Sequence, residues 1–152
     1  MRRLHEILKE IHQMKTREER VEALKNIGGK EQAMVNDLLA IQFNEYLNER
    51  IGLPDGEMPD GMVTFAEEDK HKFELVRMTG QFATFLNCPF KQVGLQSKRE
   101  KMFIDMLQGI HPKDAEIVLA VFTKLKWPYY RTITKQVVGD ALPKLLDKPA
   151  WI

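Results

Sequence analysis

The stretch SKREKMFIDMLQGIHPKDAEIVLAVFTKLKWPYYRTITKQVVGDALPKLL, Ser97 to Leu146, decides the fold. Its spacing predicts three short helices, each with a start and a stop. Ser97 and Glu100 stand at capping-box spacing, where a hydroxyl and a carboxylate satisfy orphan N–H groups reciprocally. The helix they open carries Met102, Phe103, Met106, Leu107 and Ile110 on one side, with Gly109 as its stop. Pro112 suits the first turn of the next helix, where its missing N–H costs nothing. That helix, Asp114 to Lys126, is apolar on most sides through Ile117, Val118, Leu119, Val121, Phe122 and Leu125, which makes it a buried axis. Trp127-Pro128 ends it, and Thr132 or Thr134 caps a last helix with Val137, Val138, Ala141 and Leu142 inward.

Working outward, Leu4, Ile7, Leu8 and Ile11 recur at the helical period. Thr16 stands three residues before Glu19 and opens a second helix with Val21 and Leu24 inward. Asn26-Ile27-Gly28-Gly29 ends it, since glycine accepts the left-handed conformation that closes a helix. A long third helix is expected from Gln32 to Arg50, apolar on more than one face and therefore central. Gly52 to Gly61, with Pro-Asp-Gly twice, is an acidic loop. Thr64 and Glu67 predict another helix through Phe73, Val76 and on to Phe85, broken by Cys88-Pro89-Phe90. No strand-like alternation, internal repeat or low-complexity segment is seen. The expected fold is an all-α bundle of about seven helices in one domain, 1–152. It divides into N-terminal helices (1–50), the acidic loop (51–63), a middle helix and loop (64–96), the C-terminal unit (97–146) and a tail (147–152).

A chain of 152 residues with 43% hydrophobic and 30% charged residues is ordinary for a globular protein. One cysteine, Cys88, forms no internal disulfide and fits a reducing interior. No apolar run reaches the ~20 residues that span a bilayer, and the charged opening lacks a signal-peptide core. The expected location is cytoplasmic, the host cytoplasm for a phage-encoded chain. The net charge of +1 is uninformative, but its distribution is uneven. Residues 97–152 hold ten Lys/Arg and six Asp/Glu, a balance of +4, against −3 for residues 1–96.

The four histidines, His5, His12, His71 and His111, have no pair at i, i+4 ligand spacing, so no metal is expected. His111, before Pro112, reads as a turn residue. No phosphate-cradling glycine loop, nucleophile elbow or Cys–His pair occurs, so neither cofactor nor catalytic residue is expected. Glu67, Glu68 and Asp69 are consecutive and splay around a helix as a solvated face. The candidate site is basic. Lys98 and Lys101 share a helix face, Arg99 lies at the apolar edge, and Lys124 and Lys126 end the axial helix. Arg131, Thr132, Thr134 and Lys135 surround the start of the last helix, where free N–H groups suit a phosphate oxygen. The same lysines also suit helix dipoles, and the same hydroxyls suit caps, with no ligand at all. Trp127, Tyr129 and Tyr130 either stack on exposed bases or, the favoured reading, pack a corner between helices. The tail ends in Trp151-Ile152 and docks on the chain itself or on a partner.

Two segments resemble a known family. LHEILKEIHQMKTREERVEALKNIGGKEQAMVNDLLAIQFNEYL, from Leu4, resembles the opening of the N-terminal helical DNA-binding domain of viral ATP-dependent DNA ligases. DAEIVLAVFTKLKWPYYRTITKQVVGDALPKLL, from Asp114, resembles that domain's close, including an apolar-Pro pair at Leu142-Pro143. The arrangement from Lys98 to Glu116 (Lys-Arg-Glu, Met-Phe, Leu-x-Gly, His-x-x-Asp-Ala-Glu) is similar to short proteins of large tailed phages. The resemblance implies a freestanding module that grips duplex DNA by its backbone, with Arg131, Thr132, Thr134 and Lys135 at the contact. The chain departs from the ligase pattern where Lys126-Trp-Pro-Tyr-Tyr replaces a basic-glycine turn. The adenylation signature Lys-x-Asp-Gly is absent, since both Asp-Gly pairs follow proline. The expected function is therefore non-enzymatic duplex-DNA binding. The alternative is an adaptor or inhibitor that binds a host or phage protein.

Overall fold

The computed structural model describes residues 2–53, 64–68, 70–87, 96–124, 127 and 130–151. Most of the acidic loop, the break at Cys88-Pro89-Phe90, Lys126, Tyr129 and Ile152 lie outside the described residues. The fold is all-α. Among the described residues there are seven α-helices, three 3₁₀ segments and one isolated antiparallel bridge, Ile51 to Leu86.

The helix α1, Leu4–His12, buries Leu4, Ile7, Leu8 and Ile11, as its period requires. The helix α2, Arg17–Lys25, starts where Thr16 Oγ1 accepts a hydrogen bond from the Glu19 N–H at 3.2 Å. The two glycines then open α3 (Gly29–Phe43) rather than merely closing α2. Gly28 is its N-cap at φ +80°, a conformation costly for any residue with a Cβ. Gln32 clamps the corner: its Oε1 accepts from the Ile27 and Gly28 N–H groups, and its Nε2 donates to Leu24 O at 2.8 Å.

The long helix expected to reach Arg50 is interrupted at Asn44. This buried side chain caps a new short helix, α4 (Glu45–Asn48), by accepting from Tyr46 and Leu47 N–H. Its Nδ2 also donates to Leu145 O and Asp147 O, both at 2.9 Å, which ties the C-terminal segment to the break. A buried amide with those partners outweighs one more turn of helix.

The helix expected to open at Thr64 does not form. Residues 64–68 and 70–74 run without helix apart from a turn, and the N–H groups of Lys72 and Phe73 both donate to Gly109 O. Two 3₁₀ segments follow, Leu75–Arg77 and Thr79–Phe85. Thr79, Gly80 and Thr84 are poor helix formers. The three-residue period sets Phe82 and Phe85 on one side, where both are buried.

The helix α5, Gln96–Gly109, places Ser97 inside its first turn, and α6, Pro112–Phe122, is capped by His111. The helix α6 stops four residues before the expected Lys126, with Lys124 in the left-handed region at φ 58°. The helix α7, Lys135–Ala141, is capped by Thr134, and a 3₁₀ turn at Pro143–Leu146 follows. One core joins these elements. At its centre Phe122 meets Phe82, Phe85 and Phe103 at ring separations of 5.5, 5.3 and 5.7 Å. Such tilted and edge-on contacts suit the aromatic quadrupole.

Candidate phosphate-binding groove

The described residues singled out from sequence stand on separate elements: α5, the end of α6 and the approach to α7. Lys98 and Lys101 are exposed near the start of α5, which packs on α6 and the 79–85 turns. Arg131 and Lys135 are exposed on the approach to α7, which packs on α2. Lys124 is exposed beyond the end of α6.

Three expected contacts, Arg99, Thr132 and Thr134, spend their polar groups on partners within the chain. Arg99 is only 8% exposed. Its guanidinium donates to Thr84 O at 3.0 Å, Gly52 O at 3.2 Å, Asn87 Oδ1 at 3.0 Å and Gln96 Oε1 at 3.1 Å. Gly52 makes room for this fork, since a Cβ there would collide with the Arg99 guanidinium. Arg99 therefore ties Gly52, Thr84 and Asn87 to α5 and is not offered to a ligand. The Thr132 hydroxyl lies 2.7 Å from His12 Nδ1 and 3.1 Å from His12 O. Thr134 Oγ1 accepts from Val137 N–H, and α7 spans only seven residues, so its start is a filled cap rather than a phosphate seat. The aromatic corner reads as expected where it is described. Trp127 Nε1 donates to Tyr130 O, its ring meets Phe43 edge-on, and Tyr130 is buried.

The Thr132–His12 contact locks the 130–132 segment onto the end of α1. Beside it a groove of about 440 Å³ runs between α1 and α6, lined by Lys9, His12, Gln13, Lys113, Glu116 and Tyr130. Lys9 and Lys113 are exposed, and Glu116 is the only carboxylate of the lining. Positive charge thus borders the groove from α1 and from α6, and Arg131 follows its Tyr130 wall in the chain. Lys9 with His12, and Lys113 with Glu116, each lie three residues apart on one helix face. That signal is readable in the sequence, but which helices face each other is not.

Two other depressions differ in charge. One, about 370 Å³, is lined by Arg2, Arg3, Leu4, Glu6, Asp114 and the 74–77 turn, with Met34 at its side. Most of its charges are paired: Arg3 donates to Glu74 at 3.2 and 3.3 Å, and Arg2 pairs with Glu10 at 2.6 Å. The Glu74 bond raises the Arg3 guanidinium above its ordinary value. Burial works to raise the Glu74 carboxyl, but hydrogen bonds from His71 and Arg3 outweigh it and hold that carboxyl low. The Arg3 N–H likewise lowers Glu6. The other depression, about 540 Å³, is lined by Lys30, Ala33, Val76, Arg77 and Thr79. Among the described residues no group of three or more His, Cys, Asp or Glu is placed to hold a metal, and no helix is long and apolar enough to cross a membrane.

A family model matches residues 7–126, that of the family of unknown function DUF6433. The chain belongs to this family. Neither a curated protein nor a solved structure matches it. The DUF6433 match takes in Lys9, His12, Lys113 and Glu116, so both walls of the groove lie inside it, while Tyr130, Arg131 and Lys135 lie beyond it.

Proposed function

We propose that this DUF6433 protein is a non-enzymatic module that binds duplex DNA through its phosphates, with the α1–α6 groove as the seat. One observation carries the reading: Lys9 and Lys113 stand on facing walls of a groove closed by Tyr130, with Arg131 next in the chain and Lys135 beyond it. Ammonium and guanidinium groups in such a row follow a phosphodiester chain without reading bases. The likeness of the opening and closing segments to the ligase DNA-binding domain supports it, and the likeness of Lys98–Glu116 to phage proteins supports a phage setting. Lys98, Lys101 and Lys124 lie on other elements and extend a footprint only where DNA bends round the chain.

Neutralising about four phosphates releases their counterions, so log affinity falls with log salt at a slope of about −3.6. Fluorescence anisotropy with a labelled duplex then shows roughly a hundredfold weaker binding at 200 mM salt than at 50 mM. Absence of binding at low salt refutes the reading. A protein complex captured from infected cells that survives nuclease and high salt would replace it with the adaptor alternative.

A further inference from the structure

Three histidines from three separate segments meet where α1, residues 70–77 and the start of α6 converge. The rings of His5 and His111 stack with centroids 4.5 Å apart, and His71 approaches His111 edge-on at 5.4 Å. The His71 and His111 side chains are 8% and 3% exposed. The charged groups facing them are Arg3 and Glu6 from α1, Glu68 and Glu74 from the middle segment, and Asp114 from α6. Lys113 follows on α6 with its side chain exposed, and Arg2 and Arg77 line the adjoining cleft.

Each imidazole has its protons assigned by its partners. Asp114 Oδ1 accepts from the His5 backbone N–H at 2.9 Å and lies 2.6 Å from His5 Nδ1, so His5 carries its proton there. His111 Nδ1 accepts from Lys113 N–H at 3.1 Å, which places its proton on Nε2, 3.6 Å from Glu68 Oε1. His71 Nε2 donates to Glu74 Oε1 at 2.7 Å, and its buried Nδ1 has no partner. A further proton is therefore ill placed on His111, where it would oppose the Lys113 N–H and break the α6 cap.

We propose that His111, stacked on His5 and met edge-on by His71, is a proton-operated latch that clamps residues 70–77 onto α1 and α6 when neutral and releases them when protonated. The inference does not rest on DNA binding. Burial, then the neighbouring His5, lowers the His111 pKa below its ordinary 6.5. The released segment therefore takes up the proton more readily than the closed one. The clamp is at full strength above the ordinary histidine value and is lost as pH falls through and below it.

Amide hydrogen exchange tests this at Lys72 and Phe73, whose N–H groups bond Gly109 O, and at Arg77 and Met78. After correction for intrinsic rates, exchange at these amides rises severalfold between pH 7.5 and 5.5, up to about tenfold for one titrating ring, while Leu38 and Leu39 in α3 stay protected. His111→Asn keeps an acceptor for the Lys113 N–H and removes the titrating ring, so its pH dependence falls to about twofold or less. If that variant fails to fold, His111→Ser, whose hydroxyl also accepts at a helix N-cap, reads the same quantity. Unchanged protection in the wild type, opening of α3 together with residues 70–77, or folded variants as pH-sensitive as the wild type would each overturn the latch.

Discussion

Reversing charge at Lys113 in the groove and at Arg131 beside Tyr130, Lys113→Glu with Arg131→Glu, is expected to weaken duplex binding about a hundredfold at moderate salt, roughly tenfold per residue. Both residues are exposed, and no described residue forms an ion pair with either side chain. Each change removes an attraction to phosphate and adds a repulsion. The salt dependence becomes shallower by a slope of about one for each phosphate no longer neutralised. Stability changes little, because exposed substitutions away from caps and networks stay within about 0.5 kcal/mol. Lys98→Glu with Lys101→Glu on α5 has a much smaller effect on binding. Equal losses from the two pairs would move the contact face back to the broad C-terminal patch.

Replacing Arg99 acts on folding instead. Arg99→Ala strands Thr84 O and two side-chain amide oxygens that the guanidinium now satisfies, while Gly52 O keeps its bond from Gln96 Nε2. A buried acceptor left without its donor costs about 1–3 kcal/mol. The exposed Gln96 oxygen recovers through water, so a total loss of about 3 kcal/mol is expected from Thr84 O and Asn87 Oδ1. For a chain of this size that lowers the melting temperature by roughly 6–12 °C. Arg99→Lys restores about half, since an ammonium lacks the planar fork that reaches several acceptors at once. Calorimetry of both variants beside Lys98→Ala checks this. If Arg99→Ala melts within about 2 °C of the wild type yet loses DNA binding, Arg99 faces a phosphate and not the Gly52 carbonyl.

Local signals carry the helical fold, and long-range ones do not. Leu4, Ile7, Leu8 and Ile11 announce α1 by period alone, and Thr16, Pro112 and Thr134 mark starts that the structure keeps. The misreadings occur where a side chain has a distant partner. Asn44 breaks α3 because Leu145 and Asp147 wait for its amide. Thr64 and Glu67 look like a cap, yet the residues after them spend two N–H groups on Gly109. Arg99 and Thr132 read as ligand contacts because nothing nearby in sequence reveals Gly52 or His12 as their partners. The groove is hidden for the same reason. Lys9 and Lys113 are separated by most of the chain, and only the packing of α1 on α6 makes them neighbours. The histidines lack ligand spacing within any helix, and their meeting across three segments has no sequence signature.

The central claim is that a phosphodiester chain lies in the groove between α1 and α6. Backbone amide shifts of isotope-labelled protein, followed while a short duplex is titrated in, test it residue by residue. The claim predicts the largest changes at Lys9, Gln13, Lys113, Thr132 and Lys135, with little movement at Lys30, Arg77 or Lys101. Changes centred on Lys30 and Arg77, or on the start of α5, or no changes at saturating duplex, would contradict it.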